Sequence, residues 1–146
     1  MWQYSYDSGT GIWTLSLPDN LGQNRFTQVT APTTGTRTET AQVLSPGVSL
    51  LFQHTKVFEK RSWGEALTAD TIGAGSDAQT TSYDFYDPAQ VPFTPSTSLP
   101  PLKEVRHPDG SWERYATYDV LGRRVQVLSG IDSAPTSNTA VCRATT

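Results

Sequence analysis

The sequence predicts an all-β protein made of consecutive antiparallel hairpins. Three observations carry that expectation. Apolar and aromatic residues alternate with polar ones over short runs, which is the period of a strand rather than of a helix. Clusters of Gly, Pro, Asp and Ser separate those runs and supply turn chemistry. The composition is rich in threonine and in aromatics, with 4 Trp, 6 Tyr and 5 Phe in 146 residues, and these residue types suit a pleated surface.

The elements follow in order. Trp2-Gln3-Tyr4-Ser5-Tyr6 alternates as a half-buried strand, Asp7-Ser8-Gly9-Thr10-Gly11 is a turn, and Trp13-Thr14-Leu15-Ser16-Leu17 alternates again. A core hairpin that begins at the second residue, with no leader, predicts that the chain is a piece of a longer protein. Pro18–Gly22 is a loop. Arg25–Thr30 and Thr36–Leu44 are strands separated by Ala31–Gly35, and Ser45-Pro46-Gly47 is the next turn. Val48–Lys60 is one long strand or two short ones, followed by a turn at Arg61-Ser62-Trp63-Gly64. Ala66–Ile72 is too short to read as a helix. Gln79–Asp87 places Thr81, Tyr83 and Phe85 on one face of a strand.

From Pro88 to Pro101 the chain carries five of its ten prolines. Such a run is not a central strand, because proline lacks the ladder donor. Val105, Ser111–Tyr118 and Val125/Val127 then supply three strands, joined by Pro108-Asp109-Gly110 and by Asp119-Val120-Leu121-Gly122. In both turns an aspartate bonds its own backbone and a glycine takes positive φ. The total is about eight to ten strands with little helix. After Gly130 the residues are mostly small and polar, which predicts a frayed end.

Composition narrows the function classes. Net charge is −3 and no dense basic patch occurs beyond Arg123-Arg124, which disfavours a nucleic-acid binder. No run of 18 apolar residues is present, so no membrane span is expected. The N-terminal residues have neither a charged nor an apolar signal-peptide region. Cys142 is single and cannot form an internal disulfide. His54 and His107 have no metal-ligand spacing around them, no Gly-x-Ser-x-Gly elbow occurs, and Gly73-Ala74-Gly75 lacks the Lys-Ser/Thr of a phosphate loop. No cofactor and no metal is therefore expected.

Two sets of residues leave a choice of roles. Asp84 with Asp87, or Asp109 with Glu113, are the carboxylate pairs from which a glycan-active enzyme would draw its acid and base. Asp87, Asp109 and Asp119 are explained equally by turn chemistry. Trp2, Trp13, Trp63 and Trp112 fit core packing, where a large aromatic hides much area, or stacking on sugar rings. The expectation is a protein without catalytic residues.

Tyr118-Asp119-Val120-Leu121-Gly122-Arg123 resembles the Tyr-Asp-x-x-Gly-Arg core of the YD repeats found in Rhs and related wall-associated proteins. The preceding Pro108-Asp109-Gly110 resembles that family's turn, with His107 where an acidic residue is common. Tyr6-Asp7 and Tyr86-Asp87 keep the pair and lose the Gly-Arg ending, and their spacing is uneven. The resemblance is strong over Leu102–Leu128 and weaker over Arg61–Leu128.

What the resemblance implies is a fragment of a YD-repeat β-shell: a structural scaffold whose full-length relatives enclose a C-terminal toxin or form cell-surface structures. Partners would be other repeats of a longer chain, an enclosed C-terminal domain, or a glycan. Localisation would be extracellular or at the cell surface as part of that longer chain. In this reading Tyr118 fills the gap between hairpins, Asp119 bonds the turn amides, Gly122 allows the reversal, and Arg123 lies across the tyrosine ring or reaches the aspartate. The expected organisation is a hairpin region over 1–87, a proline-rich linker or insertion over 88–101, repeat hairpins over 102–130 and a flexible tail over 131–146. A carbohydrate-binding or adhesive β-sandwich is the alternative.

Overall fold

The computed structural model describes residues 1–18, 21–31, 34–87, 101–131 and 143–145. The chain is all-β. Eleven strands lie among the described residues, and one 3₁₀ turn, Gly75–Asp77, interrupts them. The chain divides into two units, one formed by Met1–Arg61 with Glu65–Thr80, the other by Ser62–Gly64 with Thr81–Thr146. The proline run from 88 to 100 and Cys142 lie outside the described residues.

The first unit contains β1 (Gln3–Asp7), β2 (Ile12–Ser16), β3 (Gln23–Ala31), β4 (Thr36–Leu44), β5 (Leu50–Arg61) and β6 (Gly64–Ile72). Each strand lies beside the next in chain order. The register from β1 to β5 is antiparallel, and it sorts side chains onto two faces. One face carries the rows Tyr6–Trp13–Phe26–Ala41–His54 and Tyr4–Leu15–Asn24–Val43–Phe52. The other carries Ile12–Thr27–Thr40–Thr55 and Ser5–Thr14–Arg25–Gln42–Gln53. On this second face Gln42 Nε2 donates to Gln53 Oε1 at 2.8 Å, a cross-strand amide pair.

Two features of this unit differ from the sequence reading. Residues 2–6 are not half-buried, because every residue of β1 is exposed. β1 is an edge strand, so alternation there sorts residues between two open faces. The segment from Ala66 to Ile72 is a strand. Its Ala and Leu favour helix weakly, and pairing overrides that preference. Thr68 Oγ1 bonds Val57 O at 3.3 Å, Gly73 N bonds Gln53 O at 2.8 Å, and His54 Nε2 pairs with Asp70 Oδ1. The long apolar-rich run resolves into one twelve-residue strand, β5. Before it, Val48 takes φ +64°, a left-handed conformation that β-branched residues rarely adopt.

The second unit contains β7 (Gln79–Phe85), β8 (Leu102–Arg106), β9 (Ser111–Tyr118), β10 (Arg124–Ile131) and β11 (Arg143–Thr145). These also pair antiparallel in chain order. Val105, Trp112, Tyr115 and Leu128 are its buried hydrophobic residues. Trp112 lies against Gly130: a Cβ there would stand 2.6 Å from ring atom Cζ2, so only glycine fits beneath the indole. Glu104 is buried as well, with Arg106 Nε at 2.7 Å and Arg114 Nη1 at 4.0 Å from its carboxylate.

Candidate functional site

Two constellations stand out: the turn after Tyr118 in the second unit and the aromatic face of the first.

In the turn, Asp119 accepts from the amides of Leu121 and Arg123, each at 2.9 Å. Arg123 Nε donates to Asp119 Oδ2 at 2.6 Å. Of the two roles open to Arg123, it therefore takes the aspartate; Arg124 is the guanidinium that covers a ring, 3.9 Å above Tyr115. Gly122 sits at φ +76° and donates its N–H to Asp119 O at 2.9 Å. The Arg123 amide is the chief reason the Asp119 carboxyl lies below its ordinary range.

Tyr118 is half-buried, and its hydroxyl donates to Leu102 O of β8. Burial pushes that phenol up. Tyr86, the residue after β7, donates from Oη to Tyr115 O of β9, the strand beyond β8, at 2.9 Å. Both tyrosines thus tie a main-chain carbonyl of a nearby strand.

The same carboxylate device recurs at the other turns. Asp109 accepts from the Ser111 amide at 2.9 Å and from the Ser111 hydroxyl at 2.6 Å, the latter being the main cause of its lowered pKa. Pro108 precedes it on the exposed surface, and Gly110 takes φ +83°. Asp7 accepts from Gly9 N and Thr10 Oγ1, both at 2.8 Å, and the Thr10 hydroxyl bond leads in lowering its pKa.

The carboxylates considered for acid-base work have structural bonds. Asp84 Oδ2 accepts from Lys103 Nζ at 2.7 Å, and Glu113 Oε2 accepts from the Tyr115 hydroxyl at 2.7 Å. Among the described residues no group of three or more His, Cys, Asp or Glu is placed to hold a metal ion. No helix among them is long and apolar enough to cross a membrane, which says nothing of a β-barrel.

The four tryptophans occupy different surroundings. Trp112 is 2% exposed and taken up by packing. Trp63 tilts against Phe85 with ring centroids 5.6 Å apart. Trp2 is 62% exposed. Trp13 stacks on Tyr6 at 4.2 Å and tilts against Tyr4 at 5.4 Å.

Trp13 belongs to a larger open surface, since Tyr4, Tyr6, Phe26, Val43 and Phe52 on its face are also exposed. Ala41 leaves a depression between Phe26 and His54. A hollow of about 330 Å³ runs past it between Tyr4, Trp13 and Phe52, and a second of about 130 Å³ is bounded by Phe26, Glu39, His54 and Lys56. Sequence reading singled out Trp13 and missed Phe26, Ala41 and Phe52. Their alternation was visible, but which strand they would face depends on register. The chain matches no protein-family model, no curated protein and no solved structure.

Proposed function

We propose that this chain is a non-catalytic structural scaffold, a wall segment of consecutive hairpins of the YD-repeat type. In Rhs-type proteins such walls enclose a toxin or form a cell-surface structure. The observation that carries the reading is the turn at Tyr118–Arg123. Each residue of the motif has a mechanical task there: tyrosine ties the neighbouring strand, aspartate closes the loop, glycine reverses it, and arginine neutralises the aspartate. None of these tasks needs a ligand. The reading is tested by the coding DNA on either side, read in frame. Continuation into further Tyr-Asp-x-x-Gly-Arg hairpins supports it, and stop codons closely bounding these 146 residues overturn it.

A second reading, a carbohydrate-binding module, is favoured by one observation. The aromatic face offers exposed rings beside a hollow bordered by Asn24, whose amide lies on that face. Apolar sugar faces stack on rings, and amides bond hydroxyls. Saturable quenching of tryptophan fluorescence by a cell-wall glycan, lost in Ala41→Leu, supports this reading; no quenching at any glycan concentration removes it.

A further inference from the structure

Across β2–β5 the aromatic face carries a row of rings with one gap. Trp13, Phe26 and His54 stand in the row, and Ala41 takes the place between Phe26 and His54. Neighbouring strands lie about 4.8 Å apart, so Phe26 and His54 rise from backbone about 9.6 Å apart. A flat ring midway stands about 4.8 Å from each, within the roughly 4.5–7 Å of ring–ring contacts. The hollow over Ala41 has a volume of about 130 Å³, close to the roughly 150 Å³ of a cavity that takes up benzene. His54 is held in place, because its Nε2 pairs with Asp70. β2 and β6 flank these three strands, so the gap lies inside the sheet and owes nothing to its edges.

One end of the hollow is polar. Glu39 and Lys56 bound it and oppose each other directly in the β4–β5 ladder. Arg37 Nη1 bonds Glu39 Oε1, which leaves Oε2 as an acceptor. Lys56 makes no ion pair among the described residues, so its ammonium remains a donor. An acceptor beside a donor, at the end of a gap the size of one ring, matches a phenol. Its hydroxyl donates to Glu39 and accepts from Lys56, whereas an indole N–H only donates and a plain benzyl ring satisfies neither.

The larger hollow of about 330 Å³ shares Phe26 and Ala41 with this one and continues past Trp13 and Phe52, with Asn24 on its border. The Asn24 amide offers one acceptor and a donor group, the same pair that a peptide unit presents. A free phenol leaves that space empty. A polypeptide fills it with the residues beside its tyrosine and bonds a peptide unit to Asn24. We infer that this face binds a tyrosine of a partner polypeptide. The phenol enters the gap over Ala41 between Phe26 and His54, its hydroxyl meets Glu39 and Lys56, and the adjoining main chain lies along the larger hollow. The inference stands whether or not the Tyr118 turn belongs to a repeat family.

The test titrates a short blocked glycine peptide with one central tyrosine into the whole chain, following the NMR signals of the Ala41 methyl and the His54 ring. Saturable ring-current shifts at both are expected. The phenylalanine counterpart binds about fivefold or more weakly, because it bonds neither charged group. Lys56→Met removes that preference and leaves the affinity for the phenylalanine peptide unchanged, which shows the sheet intact. No saturable shift at Ala41 overturns the inference. So does equal affinity for the two peptides, or a preference that survives Lys56→Met. Para-cresol binding as tightly as the tyrosine peptide assigns the gap to free phenols and overturns the polypeptide. A cell-wall glycan that shifts the Ala41 and His54 signals where the tyrosine peptide does not also overturns it, and leaves the carbohydrate reading standing.

Discussion

Single residues in the turns set the local energetics. Gly122 holds φ +76°, where a β-branched side chain is strained. Gly122→Val is expected to cost about 2 kcal/mol, against about 0.5 kcal/mol or less for Val120→Ala, an exposed neighbour. Equal urea midpoints for the two would remove the special role of the glycine. Val48 carries the reverse prediction. It already sits at φ +64° and is 55% exposed. Val48→Asn therefore gives up little burial and relieves the left-handed strain, so it should raise stability by about 1 kcal/mol, read as a higher melting temperature.

Tyr115 supplies the pH dependence. Desolvation, reinforced by the bond to Glu113, pushes its phenol up to about 12 from 10.0. A folded-state pKa above the unfolded one means that the contribution is full below pH 10.0 and is lost as pH rises towards about 12. Unfolding free energy measured across that window should fall steeply for the native chain and less steeply for Tyr115→Phe.

At the scale of elements, one side chain links three strands. Arg37 of β4 lies 4.1 Å over the Phe58 ring of β5, and its guanidinium meets Glu65 of β6 at 2.8 Å. Arg37→Lys keeps the charge and loses the planar fork that serves both contacts. Its expected cost is about 1 kcal/mol at low salt, shrinking as salt screens the half-exposed pair. A cost unchanged by salt would assign it to packing alone. The hairpins that were legible in the sequence are those with their own punctuation. Thr36–Leu44 and Ser111–Tyr118 appear with the bounds their turns imply, because an aspartate-glycine or proline-glycine turn acts locally. β6 was not legible: Ala66, Leu67 and Ala69 have no strand preference, and their conformation comes from pairing with β5. The site divides the same way. The Tyr118–Arg123 turn closes on itself within six residues and was readable, while the groove at Ala41 is assembled by register across β1–β5.

For the whole molecule, buried apolar residues are unevenly shared. Val105, Trp112, Tyr115 and Leu128 all belong to the second unit, whereas the first has only Leu44 and Ala66 among its described residues. The first unit instead exposes its aromatic face, with Tyr4 at 67% and Phe52 at 45%. Burial of apolar surface is the main stabilising term, so local opening free energies should differ along the chain. Amides of β8, β9 and β10 are expected to exchange slowest, and those of β1 and β2 fastest. Hydrogen exchange followed by mass spectrometry of peptic fragments reads this directly. If a partner covers the aromatic face in solution, protection of β2 and β3 rises to that of β9, and it falls again on dilution where the partner is a second copy. Uniform protection that does not respond to dilution would mean that the strands unfold as one cooperative body, and that the uneven burial does not govern stability.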